Sequence, residues 1–123
     1  EYRVLHHKDS TGYEIERALL EKVRQHPNIE IWEKQFTIDL ITQHHLGKTI
    51  SREENNVECY GAYVFDPENG MIHTVLSKMT MLATGGIGNL YSTTTNPKIA
   101  TGDGIAMVYR AKGMVEGMEF VQF

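Results

Sequence analysis

The sequence contains a single cysteine, Cys59. One thiol can neither close an internal disulfide nor supply the paired thiolates of a CxxC metal site, so a reducing compartment is expected, with the cytoplasm as the default. No run approaches the roughly 20 apolar residues a membrane helix needs, and no signal-peptide pattern opens the chain, so no membrane is expected among its partners. Cationic charge is also sparse: 12 Lys and Arg stand against 16 Asp and Glu, a formal charge of -4, and they form no block. That balance argues against a nucleic-acid partner. Repeats and low-complexity tracts are lacking, and a composition of 41% hydrophobic and 23% charged residues argues against a disordered tail, a collagenous repeat or a coiled coil. What is left is an ordinary globular composition over 123 residues, the length of one domain. The chain opens on Glu1 and closes on Gln122-Phe123 straight after an apolar stretch, so both ends are expected to be cuts through a longer protein.

Thr11-Gly12-Tyr13-Glu14 has the T-x-x-E spacing of a capping box and predicts a helix whose apolar stripe, Ile15, Ala18, Leu19 and Val23, faces a core. Pro27 ends it near His26. Ile29 to Lys34 is a short strand candidate, and the β-branched, alternating TIDLIT of Thr37 to Thr42 is a second. A polar loop from His44 to Asn56, a strand from Val57 to Phe65, the turn Asp66-Pro67-Glu68-Asn69-Gly70 and a return strand from Met71 to Leu76 complete a three-stranded antiparallel meander. Met79 to Ala83, apolar without alternation, reads as a strand buried on both faces. Beyond a Thr-rich loop, a helix is expected over Ile105 to Lys112 with Gly113 as its C′ residue, and Val115 to Phe123 as a closing strand.

Few residues invite chemistry. His6-His7 and His44-His45 are adjacent pairs without a carboxylate or thiolate at ligand spacing, which favours solvated loop histidines and no metal site. Cys59 reads as a small buried hydrophobe within a strand. Gly86-Ile87-Gly88-Asn89-Leu90-Tyr91 begins like a GxGxxG fingerprint but puts tyrosine where the third glycine belongs, and no phosphate-binding helix follows. The glycine cluster still follows an apolar run, a place where a ligand or another backbone can approach closely, and a plain tight turn is the alternative. Asp103, between Gly102 and Gly104, is either the N-cap of the next helix or a hydrogen-bond acceptor offered to a ligand. The six methionines fit core positions better than a partner surface.

Positions 83 to 123, ATGGIGNLYSTTTNPKIATGDGIAMVYRAKGMVEGMEFVQF, resemble the fumarate reductase and succinate dehydrogenase flavoprotein superfamily from its ATGG turn through TGDG to its MEFVQF strand. Thr94-Thr95-Asn96-Pro97 and the opening Arg3-Val4-Leu5-His6, with Asp9, Thr11-Gly12 and Glu14-Ile15-Glu16, resemble the L-aspartate oxidase family within it. The resemblance implies an α/β fold: the middle portion, residues 1–123, of a Rossmann-like FAD-binding domain with an inserted three-stranded antiparallel β-meander. The true dinucleotide fingerprint and the capping domain would lie outside this stretch.

The implied cofactor is FAD. Phe36 and Thr37 match positions whose backbone meets its adenine side, Thr84 and Gly85 match the ATGG turn beside the dinucleotide, Asp103 matches the acidic flavin-contacting position, and Gln122 points toward where substrate would lie. No catalytic residue falls within the chain; the family's substrate histidine would follow Phe123 directly. The intact enzyme would oxidise L-aspartate to iminoaspartate, pass electrons to oxygen or fumarate, and hand its product to quinolinate synthase in NAD biosynthesis. The chain alone is expected to be inactive and, with an uncovered sheet edge, to pair as a homodimer. The alternatives are a piece of a fumarate reductase or succinate dehydrogenase flavoprotein subunit, or a non-catalytic domain that binds a nucleotide or a partner.

Overall fold

A computed structural model describes residues 6–53 and 56–121. The chain divides after Glu33 into two units. The first contains helix α1, Thr11–Gln25. Its N-cap is Ser10, and no side chain caps the N-terminus, so the expected box does not form. The Thr11 hydroxyl instead accepts the His7 N–H (2.9 Å), while Glu14 takes Arg17 as its partner (2.6 Å) and Arg17 reaches on to Glu21. The hydrogen bonds and charge of Arg17 hold the Glu14 carboxyl below its ordinary range. Pro27 ends the helix as expected, with His26 donating to the Val23 carbonyl. The expected core-facing stripe is not buried: no residue of α1 is, and Ile15 and Leu19 are more than half exposed. Ile29 to Lys34 forms no strand. It has no ladder partner among the described residues, and it ends in a turn at Glu33–Lys34 with Lys34 at φ +57.

The second unit is built on the antiparallel meander, β1 (Phe36–Thr42), β2 (Cys59–Asp66) and β3 (Met71–Leu76), in the order β1-β2-β3. Two bulges bend the β1–β2 ladder, one leaving Ile38 without a cross-strand partner and one doing the same for Tyr60. Beside the second, Gly61 sits at φ +143, where an added Cβ would lie 1.9 Å from the Val75 carbonyl oxygen of β3, so only glycine fits. The Asp66–Gly70 turn closes by its own side chains: Asp66 accepts the Glu68 N–H and the Asn69 amide, and Asn69 accepts the Met71 N–H. At the other end of the sheet a 3-10 turn, Gln43–Leu46, opens the long loop. The buried Gln43 amide ties that loop shut by donating to the Asn56 carbonyl and accepting the Glu58 N–H.

Helix α2, Asp103–Arg110, packs on β1 through Met107, only 1% exposed, a burial worth about 1.5–3 kcal/mol. It starts two residues before the expected Ile105. It ends in a Schellman motif in which Lys112 (φ +64) donates to Tyr109 and Gly113 donates to Val108, so Lys112 rather than Gly113 takes the left-handed C′ position. Neither Met79 to Ala83 nor the described part of the closing strand, residues 115–121, is a strand. Met79 and Met81 are 89% and 90% exposed, and of the six methionines only Met107 is in the core. Cys59 is exposed rather than buried, its thiol facing the Gly61 carbonyl and the Thr80 hydroxyl. No helix of the described residues is long and apolar enough to cross a membrane.

Candidate functional site around helix α2

The T-G-D-G pattern is explained by how tightly the 84–89 loop presses on the start of α2. Gly102, the N-cap at φ +77, donates to the Gly86 carbonyl, and a Cβ on it would meet Ile87 Cγ2 at 2.6 Å. A Cβ on Gly104 would meet Thr84 Oγ1 at 2.1 Å. Between them Asp103 is the first helical residue, not the cap, and its carboxylate accepts the Thr101 hydroxyl at 2.9 Å. An acid in this first turn complements the helix dipole. Its carboxylate retains acceptor capacity beyond that one bond.

Cavities surround α2. One of about 330 Å³ is lined by Phe36, Thr37, Ile38 and Asp39 of β1 and by Asp103, Met107 and Arg110 of α2. Four consecutive strand residues can line a single cavity only if their backbone does so, because successive side chains point to opposite faces. Another, about 350 Å³, lies across the first turn of the helix and is lined by Thr84, Gly85, Gly104 and Glu116 among others. A third, about 1090 Å³, is an apolar groove walled by Ile87, Leu90, Ile105, Tyr109 and Met118, with the Arg52 guanidinium 4.4 Å over the Tyr109 ring.

The expected site residues therefore fall into two groups. Phe36, Thr37 and Asp103 share one cavity, while Thr84 and Gly85 line the next. Gly85 sits at φ +75 with nothing within 4 Å of an added Cβ, so turn geometry by itself accounts for the glycine in this chain. Gln122 lies outside the described residues. Among the described residues no three metal-ligating side chains come together, and His45 is engaged locally, its Nδ1 accepting the Thr42 N–H and its ring meeting Tyr63 edge-on. Sequence reasoning missed Arg110 and Asp39, which pair at 3.1 Å across the first cavity. The available signal was an acid between the apolar Ile38 and Leu40 of the TIDLIT strand.

The sequence profile of the FAD binding domain family matches residues 2–123, and the chain belongs to that family. Within it, the chain is 46% identical to L-aspartate oxidase 1 of Ralstonia nicotianae over 98% of its own length and 22% of that protein's. It is 44% identical to the chloroplastic L-aspartate oxidase 2-a of Nicotiana tabacum and 45% identical to the chloroplastic L-aspartate oxidase of Arabidopsis thaliana, covering 98% of this chain and 18% and 17% of those proteins. The chain thus spans about a fifth of the length of these relatives.

Proposed function

We propose that the chain supplies part of the FAD site of an L-aspartate oxidase, within a Rossmann-like domain in which residues 79–83 and 115–121 find partner strands. The observation that carries this reading is the agreement of sequence and place: identity to L-aspartate oxidases runs over 98% of the chain, and Phe36, Thr37 and Asp103 converge on one cavity. The donor set fits the cofactor. Backbone N–H and C=O groups at Phe36–Thr37 can read a purine edge without specifying a side chain. The Asp103 carboxylate suits a hydroxyl of the cofactor's polyol chain and would repel its phosphates. Thr84 and Gly85 shape the passage on the far side of the helix's first turn.

The chemistry a bound FAD supplies is acceptance of hydride from L-aspartate, leaving iminoaspartate, with electrons passing on to oxygen or fumarate. Iminoaspartate would then serve quinolinate synthase in NAD biosynthesis. This chain's residues hold and orient the cofactor, and its substrate-proximal residue is Gln122. For the compartment we propose the cytoplasm, on the exposed thiol of Cys59, which a reducing environment keeps free. The isolated chain, with β1 and β3 both sheet edges, is proposed to pair as a homodimer. The test is to purify the full-length protein that carries this chain, quantify released flavin, and measure L-aspartate-dependent peroxide release and fumarate reduction. Stoichiometric FAD with L-aspartate turnover is expected; a protein that binds no flavin, or that turns over succinate and not L-aspartate, would overturn the reading.

A further inference from the structure

We infer that Arg110 is a positioning residue for the cofactor site: it sets the distance between the strand backbone at Phe36–Thr37 and the carboxylate of Asp103. This rests on the FAD reading above and concerns a residue that need not touch the cofactor. The bulge in β1 leaves Ile38 out of the β2 ladder. One guanidinium answers the strand there: Arg110 donates from Nη2 to the Ile38 carbonyl at 2.9 Å and from Nε to Asp39 Oδ2 at 3.1 Å. The other oxygen of Asp39 accepts the Leu40 N–H at 2.9 Å, which fixes the carboxylate in its own strand. Arg110 lies in the last turn of α2 and Asp103 is its first residue, so the fork fastens one end of a rigid rod whose other end carries the acid.

The pair is a poor candidate for a stability device. Asp39 and Arg110 are 26% and 49% exposed, and pairs at such exposure contribute little to folding. Its geometric value is larger, because lysine offers a point charge on a flexible stem and cannot hold both acceptors in one plane. Loss of the fork therefore lets α2 shift on β1 while Met107 keeps it attached.

The experiment uses the full-length protein stripped of flavin, with FAD affinity read from quenching of flavin fluorescence and the fold from circular dichroism. Arg110→Met is expected to weaken FAD roughly tenfold, the scale of a lost charge-assisted hydrogen bond, with little change in melting temperature. Arg110→Lys and Asp39→Asn should fall between it and the wild type; they decide the matter if Arg110→Met fails to fold. Adding Asp103→Ala to Arg110→Met should cost much less than Asp103→Ala does alone, since the acid is already displaced. Unchanged affinity in the folded Arg110 and Asp39 variants, or full additivity with Asp103→Ala, would overturn the positioning role while leaving the cofactor reading intact. A wild-type protein that binds no FAD would overturn both.

Discussion

The meander of residues 36–76 and the segment that follows it, 77–121, draw on similar side chains and reach different ends. TIDLIT in β1 and MTMLA at Met79–Ala83 are both short and both carry large apolar side chains, yet Leu40 and Ile41 are 7% and 5% exposed while Met79 and Met81 are 89% and 90% exposed. The difference is a neighbour. Each strand of the meander finds a ladder partner a single turn or loop away, so β2 is paired on both sides and β1 and β3 on one side each within the unit. Residues 79–83 and 115–121 have no such partner among the described residues. Being a strand is a property of a pair, and apolar composition only makes a segment eligible for one.

The substitution that should break the self-contained region most severely is Gly61→Val. It places a branched side chain at φ +143 and against the Val75 carbonyl, and should cost roughly 2–5 kcal/mol in urea unfolding, enough to dissolve the β2–β3 pairing. Gly85 sharpens the contrast from the other region, because its φ of +75 is met with open space in this chain. In the full-length protein Gly85→Val should abolish flavin retention, whereas Gly85→Asn, which tolerates the left-handed region, should keep it. Flavin absorbance after dialysis reads both; loss in the two variants with an intact circular dichroism spectrum would mean that cofactor approaches too closely for any Cβ.

Asp103→Ala should act more mildly, lowering FAD affinity roughly ten- to a hundredfold with little loss of fold, since one acceptor for a cofactor hydroxyl is removed and Gly102 remains the cap. A lowered melting temperature with unchanged flavin content would assign Asp103 to the helix alone. The smallest effect is expected at Met81→Ser in the isolated chain, below about 0.5 kcal/mol, because the side chain is almost fully exposed. Denaturation of the same variant in the full-length protein tests the comparison directly. There a buried partner strand would raise the cost to roughly 2 kcal/mol or more.

How much could be read beforehand follows the same division. TIDLIT, the Asp66–Gly70 turn and the return strand were legible because alternation, β-branching and turn chemistry all act over a few residues. The end of α1 was legible from Pro27 for the same reason, while its start slipped by one residue because Ser10 and Thr11 are both competent caps. Tertiary closeness was not legible. Gly102 and Gly104 looked like loop residues framing a cap, when they are the places where Ile87 and Thr84 press on the helix. Nothing in the local sequence marked Arg110, because its acceptors lie 71 and 72 residues away. Cys59 looked buried because strands usually bury small apolar side chains, but it is the first residue of β2 and is exposed there.

The Asp66–Gly70 turn also bears on how the protein ages. Asn69-Gly70 is the dipeptide most prone to spontaneous deamidation, in which the glycine nitrogen attacks the asparagine side-chain carbonyl carbon to close a succinimide. Here the Gly70 N–H is held by the Asp66 carbonyl at 2.9 Å, and the Asn69 amide is pinned at both of its ends, to the Asp66 carboxylate and to the Met71 N–H. These hydrogen bonds must break before the attacking nitrogen reaches its target, so the closed β2–β3 hairpin slows deamidation and opening of the turn speeds it. A variant that loosens this turn should therefore gain mass at Asn69 faster over weeks of storage than the wild type does.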